Sequence, residues 1–342
     1  MGAISVELLV LSATMALGVA VDYSARSLGP EGVTVVGREL SNMSVAQAKA
    51  AIEESISAPM LSPVTVTGDD KSWTLDPKGI VSVDTDAMLA AAYETKRSAP
   101  LIARVQSQLK GRPLPAQVEP KYSVDTTALA AWVAQISAGV DRKPVNATRT
   151  VSKYKIKITP SVRGARVDQQ AAVAAISQAL SADAALASNN RVVQLPVAYT
   201  KPKIAESSFK NALVVSLSRC RIYLFSGDKL VKTWPCAPGR PGFPTPTGDF
   251  KVNSRQRFAP WINPGSAWAK NMPAVIPPGP SNPMGVTKTG IDYPGVFMHG
   301  IPASEFGSIG THASHGCMRM FPNDALDLYN RVKIGDPVYI RP

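Results

Sequence analysis

Apolar positions along this chain follow two different periods, and the change from one to the other divides it. From about Gly32 to Thr200, short β-branched runs alternate with alanine-rich stretches whose apolar residues recur every three or four positions. The pattern Val-Asp-x-x-Ala marks three of the changeovers, at Val83-Asp84, Val124-Asp125 and Val167-Asp168. In each, the aspartate is placed to accept a hydrogen bond from an orphan N–H of a first helical turn. Helices are therefore predicted after Asp84, Asp125 and Asp168, and another after Ser44. Three of these helices have a predicted buried face: Val45, Ala48, Ile52 and Ile56; Leu129, Val133 and Ile136; Val173, Ile176 and Leu180. Strands are predicted at Val64–Thr67, Lys153–Ile158 and Val192–Val197.

A Pro/Lys stretch, Val197 to Lys203, reads as a linker, and beyond it the period shortens. Leu213–Ser218, Cys220–Phe225 and Lys229–Trp234 are predicted strands of a meander, with turn chemistry at Ser226-Gly227-Asp228. Between Phe258 and Phe297 lie eight prolines, two tryptophans and little periodicity. A connection of that length usually forms a lid or a cleft wall. Trp261, Trp268 and Tyr293 would line that cleft or plug the loop onto the sheet. Pro322 and Asp324 then open a helix with the face Ala325, Leu328 and Val332, and Asp336–Ile340 is a last strand. The domain layout expected is 1–27 as a separate segment, α+β units over 28–112 and 120–203, and a mainly-β domain over 208–342.

Composition adds three constraints. With 342 residues, 45% hydrophobic and 18% charged, the chain is long and apolar enough for two or three packed cores. A formal charge of +12 favours anionic surroundings, either nucleic acid or the polyanions of a cell envelope. No Lys/Arg run is interleaved with aromatics, so nucleic acid is not an expected partner. The stretch from Ile4 to Val21 is apolar over the length of an export leader or a short membrane span, although Glu7 interrupts it and no Lys or Arg precedes it. Residues 1–27 are therefore expected to be a cleaved leader or an uncleaved anchor, with an ordinary buried helix as the other reading.

Candidate chemistry concentrates in one stretch, His299 to Met320. All three histidines, His299, His312 and His315, fall there, together with Cys317 of the three cysteines. Histidine titrates near neutrality and a thiolate is a far better nucleophile than a hydroxyl, so the combination suggests covalent catalysis. Glycine before the nucleophile, in Ser314-His315-Gly316-Cys317, lets backbone N–H groups turn toward a developing oxyanion. Two other readings stand beside this one. Buried structural histidines and cysteine would need no such clustering. Zinc would suit His299, His312, His315 and Cys317, but paired CxxC or HxxxH spacings are missing, and no metal is expected.

The SHGC core, the fourteen residues between His299 and Ser314, and the following Arg319 and Met320 resemble the signature of the L,D-transpeptidases, YkuD-like cysteine enzymes that remodel bacterial peptidoglycan. Met318 departs mildly, standing where Ile or Leu is commoner. Pro244-Thr245-Pro246-Thr247-Gly248 and Asn282-Pro283-Met284-Gly285 fall where that family has its TPxG turn and Asn-Pro-Leu-Gly loop. The region ahead is similar, more loosely, to peptidoglycan-binding modules, with a plain spacer as its other reading. The resemblance implies a multidomain fold, N-terminal α+β units followed by a mainly-β L,D-transpeptidase (YkuD-like) catalytic domain. It further implies Cys317 as nucleophile, His299 as base oriented by the Gly300 carbonyl, and Gly316 and Cys317 N–H groups as the oxyanion hole. Ser314 and His315 would brace that hole. Substrate contacts are assigned to Arg319, Gly300, Tyr293 and Asn282. The implied partners are donor and acceptor stem peptides in an extracytoplasmic cell wall, the implied cofactor is none, and carbapenem-type β-lactams are implied inhibitors. An L,D-carboxypeptidase and a non-catalytic wall-binding protein are the alternatives.

The remaining two cysteines leave a choice open. A three-residue turn at Gly227-Asp228-Lys229 sets Cys220 opposite Cys236, where export would permit a disulfide. A two-residue turn pairs Leu224 with Val231 and Ile222 with Thr233. That register buries the better face and puts the cysteines out of line, so the bridge is not the favoured reading.

Overall fold

The computed structural model of the chain describes residues 14–23, 28–29, 31–110, 112–114 and 116–342. Residues 4–13 of the apolar segment Ile4 to Val21 lie outside the described residues. Among the described residues no helix is long and apolar enough to cross a membrane. The chain divides into two compact units, Met1–Lys143 with Ala165–Tyr199, and Pro144–Gly164 with Thr200–Pro342.

In the first unit the predicted caps close the predicted helices. Asp84 accepts from the Ala87 N–H at 2.8 Å and starts Thr85–Ser98. Asp125 accepts from Thr127 and Ala128 and starts Thr126–Ala138. Asp168 accepts from Ala171 and starts Gln169–Ala179. Ser44 and Gln47 form a reciprocal capping box ahead of Val45–Ile52. Of the ten residues predicted on the three faces, Ala48, Ile52, Ile56, Leu129, Val133, Ile136, Ile176 and Leu180 are buried, and Val173 is half-buried. Val45, expected inside, is 48% exposed at the first position of its helix, whose buried residues are Ala48, Ala51 and Ile52.

The strand pairings cross the boundary expected at 113–119. Val33–Val35 runs parallel to Ala116–Val118, Val81–Val83 pairs with Tyr122–Val124, and Val64–Gly68 runs parallel to Arg191–Gln194. One apolar cluster, including Val33, Ile52, Met88, Leu129 and Ile176, joins both halves. The reason is size: each strand set is too short to bury a face alone, so the halves interleave. The stretch expected as a linker begins as a strand, Val197–Thr200, paired with Gly164–Val167.

The second unit carries an eight-stranded sheet, labelled here in chain order: β1 (Asn211–Ser216), β2 (Arg221–Ser226), β3 (Lys229–Pro235), β4 (Gly248–Arg257), β5 (Thr287–Ile291), β6 (Phe297–Gly300), β7 (Met318–Met320) and β8 (Pro337–Arg341). The spatial order is β3-β2-β1-β8-β4-β5-β6-β7. Only β1 with β8 and β6 with β7 are parallel among these neighbours. Helix α1 (Pro322–Arg331) has Pro322 in its first turn and buries Ala325 and Leu328 against the core face. The strand β5 lies inside the segment expected to be irregular. Its sequence, Thr-Lys-Thr-Gly-Ile, has too few apolar residues for a strand to be read from it, and β4 and β6 on either side supply the pairing.

The hairpin Thr148–Ser152 with Lys155–Thr159, expected within the second α+β unit, belongs to this second unit. Ile156 packs with Ala212, Val214, Tyr223 and Phe225, and Tyr154 stacks on Tyr223 with ring centroids 5.5 Å apart. The near-continuous apolar runs of β1 and β2 explain it. Leu213 and Val215 face one core and Ala212 and Val214 the other, so both sheet faces need cover.

The β2–β3 hairpin resolves the choice of register by combining both alternatives. Its turn has two residues, Gly227 and Asp228, with Ser226 opposite Lys229, but a bulge shifts the ladder so that Leu224 faces Lys232. Cys236 then donates its N–H to the Cys220 carbonyl at 2.8 Å, and the two cysteines stand opposite each other as free, buried thiols. Burial pushes both thiols upward, Cys236 most strongly and with a further contribution from Cys220. Thiolate is therefore scarce, and oxidation should be slow. In Cys317→Ala, thiol counting after denaturation should give two thiols, falling to none only after prolonged exposure to excess oxidised glutathione with formation of an intramolecular bridge. Two persistent thiols, or glutathione adducts in place of the bridge, would show that the pair cannot close.

Candidate active site

Alternation along β6 and β7 sorts the signature residues onto two faces. Met298, Met318 and Met320 are buried in the core beneath α1. His299, Cys317 and Arg319 belong to the opposite face by the two-residue repeat of a strand. The ladder puts Lys288 of β5 beside His299, and His299 beside Arg319. One row therefore reads Lys288, His299, Arg319. The next row reads Gly290, Phe297, Cys317, since Gly290 pairs with Phe297 and Cys317 precedes Met318, the partner of Met298. His299 and Cys317 are thus diagonal neighbours on one face, a spacing of about 7 Å between Cβ atoms that an imidazole can span.

His299 is buried, and its Nδ1 donates to the Gly300 carbonyl at 2.7 Å. A carbonyl only accepts, so the neutral ring keeps its proton on Nδ1 and its lone pair on Nε2. Burial lowers its pKa to about 4, against the pull of the Gly300 and Pro283 backbone and helped by Arg319 and Lys288. Cys317 is half-buried; desolvation raises its thiol, opposed by the Phe297 backbone N–H, Arg319 and Lys288. Its Sγ donates to the Gly295 carbonyl at 3.4 Å, so the resting thiol is turned toward the β5–β6 turn rather than bonded to the imidazole. Catalytic hydrogen bonds commonly tighten only when substrate arrives.

The loop carrying Cys317 is braced from within and from the side. Gly316 has φ +113°, a conformation that favours glycine, and its N–H donates to Ser314 Oγ at 3.0 Å. Ser314 Oγ in turn donates to the Cys317 carbonyl at 2.6 Å. The Gly316 N–H, expected to face an oxyanion, is therefore already engaged. Thr245 of the proline-rich turn accepts from the Gly239 N–H at 2.8 Å and donates to the Gly316 carbonyl at 2.9 Å. His312 Nδ1 donates to the Gly239 carbonyl at 3.0 Å.

His315 points elsewhere. It stacks on Trp268 with ring centroids 4.2 Å apart, meets Phe243 edge-on, and has Nε2 2.8 Å from Arg240 Nη2. Burial, Arg240 and Arg319 lower its pKa, with Glu305 opposing. Arg319, expected to meet a substrate carboxylate, is paired with Glu305 at 2.7 Å. Among the described residues no three His, Cys, Asp or Glu side chains gather as a metal site.

Asn282 is 1% exposed, and its amide donates to the carbonyls of Ala259, Ile276 and Pro277 while accepting from the Met284 N–H at 2.7 Å. Its hydrogen-bonding capacity is spent on shaping its own loop. That loop sits on the base: at Gly285, φ +60°, an added Cβ would lie 2.6 Å from the Gly300 carbonyl carbon. Tyr293 is exposed and meets Phe250 edge-on at 5.8 Å. Trp261 is buried and Trp268 half-buried, so one tryptophan anchors the loop and the other reaches the signature. Lys288, Glu305 and Arg240 escaped the sequence reading, and Thr245 entered it only as part of the TPxG turn, because only strand register and loop closure bring them to the site.

The profile of the YkuD L,D-transpeptidase catalytic domain matches residues 210–340, and the one described as "Putative peptidoglycan binding domain" matches residues 73–185. The protein named "Probable L,D-transpeptidase ErfK/SrfK" of Salmonella typhimurium is 31% identical over 147 residues, covering 40% of this chain and 46% of that protein. "L,D-transpeptidase 2" of Mycobacterium tuberculosis is 33% identical over 112 residues, covering 33% of this chain and 26% of that protein. The matched segment thus spans less than half of each relative. The solved structure of an L,D-transpeptidase from Mycobacterium smegmatis is similar at 20% identity and a TM-score of 0.34, over 43% of this chain and 66% of that one. By these matches, residues 210–340 correspond to the YkuD family's L,D-transpeptidase catalytic domain, and residues 73–185 to the family described as "Putative peptidoglycan binding domain".

Proposed function

We propose that the chain forms peptide crosslinks in peptidoglycan by thioester chemistry at Cys317. The single observation that carries this reading is the diagonal placement of His299 and Cys317 on one sheet face, with the imidazole tautomer held by Gly300. His299 Nε2 takes the thiol proton as Sγ attacks the carbonyl of the third, diamino residue of a tetrapeptide stem. An S–C bond forms, the C–N bond to D-Ala breaks, and the proton passes to the leaving amine. The side-chain amine of a second stem then attacks the thioester, the C–S bond breaks, and the amine's proton returns to sulfur through His299. No cofactor enters this sequence. The peptidoglycan binding domain would keep the catalytic domain at the wall, outside the cytoplasm, whether residues 1–27 act as leader or as anchor.

Incubating the protein with tetrapeptide-bearing muropeptides and weighing the products tests the reading. A dimer lighter than two substrates by one alanine is expected. Tripeptide monomers alone would make water the acceptor and the protein a carboxypeptidase, and unchanged substrate would leave it a wall-binding protein.

A further inference from the structure

Three cations stand near the nucleophile, and they are not equivalent. Arg319 is paired with Glu305, and Arg240 is directed at the His315 ring. Lys288 shares the row of His299, its Nζ lies 4.7 Å from the centre of the Phe297 ring, and among the described residues it has no ion-pair partner. Phe297 lies between Lys288's strand and Cys317, so the ammonium rests on the ring that borders the thiol. A cation on an aromatic face, half-buried and without a counter-ion, suits an anion delivered by a ligand.

Resting on the function proposed above, we infer that Lys288 receives the terminal carboxylate of the donor stem, carried by the residue that leaves. In a tetrapeptide this carboxylate sits one Cα beyond the scissile nitrogen, about 4–5 Å from the attacked carbonyl carbon. The strands of Lys288 and Cys317 are two ladder spacings apart, about 9.6 Å, a gap that the lysine arm and this short reach close together. The donor's other carboxylate, at the far end of the diamino acid side chain, is separated from the reacting carbon by a flexible chain with no such fixed distance. The pairing would select donors that end one residue past the scissile bond. Lys288 would then be a specificity residue, and Arg319 with Glu305 a brace of the site.

The test compares kcat/KM for three donors: the tetrapeptide stem with a free C-terminus, the same stem as its C-terminal carboxamide, and the stem amidated at the diamino acid side-chain carboxyl. The wild type is expected to prefer the free C-terminus over its carboxamide by about 10- to 100-fold, as for loss of a charge-assisted hydrogen bond. In Lys288→Met and Lys288→Gln that ratio should collapse to within about threefold, while Lys288→Arg should keep most of it. Two variants of different polarity guard against one that misfolds. A full preference surviving in both, an absent preference in the wild type, or discrimination that follows the side-chain amide would overturn the assignment of Lys288 alone. A wild type that converts none of the three donors overturns the proposed function and this inference with it.

Discussion

Cys317→Ala should lose stem turnover entirely, and Cys317→Ser should fall by about 10,000-fold or more, because a hydroxyl beside the same base is far harder to deprotonate than a thiol. The wild type incubated with a carbapenem should gain the full mass of the drug, since the strained ring opens without losing an atom when sulfur attacks its carbonyl. Neither variant should show that mass. The side chain is half-buried and its partner in the resting state is a backbone carbonyl, Gly295, which serine can also address. Loss of activity in the serine variant is therefore expected in a folded protein, checked by an unchanged thermal midpoint. An equal adduct on the alanine variant would remove Cys317 from the nucleophile's role and leave Cys220 and Cys236, both buried, as the thiols to examine.

His299→Gln should cost about 100- to 10,000-fold in kcat/KM, the range for loss of a positioned base. The pH dependence is the sharper reading. With burial holding the imidazole pKa near 4, the ring is a neutral base throughout the physiological range. The acid limb of kcat/KM should accordingly lie near pH 4, well below the ordinary histidine value. Desolvation raises the Cys317 thiol at the same time, so the resting pair is thiol and imidazole, not an ion pair. Alkylation by iodoacetamide should be slow at neutral pH and rise only above the ordinary thiol range.

The same depressed pKa has a stability consequence of fixed sign. Between pH 6.5 and about 4 the unfolded chain protonates this histidine and the folded chain does not. Its contribution is full above pH 6.5 and is lost as pH falls toward 4, on the order of 3 kcal/mol. Unfolding of the wild type at pH 7.5 and 4.5 should differ more than that of His299→Gln. An acid limb at pH 6.5, or equal pH dependence in both proteins, would show that the ring is solvated in solution and that the base works by another route.

Helix starts were legible along the chain because a cap is local: Asp84, Asp125 and Asp168 reach donors two or three residues away, and no distant residue is needed. The SHGC loop was legible for a similar reason, since Ser314, Gly316 and Cys317 bond among themselves. Register was not. The β2–β3 hairpin combines the shorter turn with a bulge, so the cysteines face each other although the turn alone would have separated them. The strand β5 was hidden because its neighbours, not its own residues, make it a strand, and with it was hidden Lys288.

By itself, then, the sequence determined the four capped helices of the first unit, the meander that opens the second, and the family signature written into His299 to Met320. Each of these depends on residues close in the chain or on a motif contained in one stretch. Tertiary structure alone decided that Arg319 is spent on Glu305, that His315 turns to Trp268 and Arg240, and that Lys288 stands beside the base on the Phe297 ring with no ion-pair partner among the described residues. It also decided that the hairpin Thr148–Thr159 covers the second face of the catalytic sheet. These outcomes depend on which side chains meet after distant strands align. That alignment is set by the summed burial of whole faces, a quantity no local stretch of sequence contains.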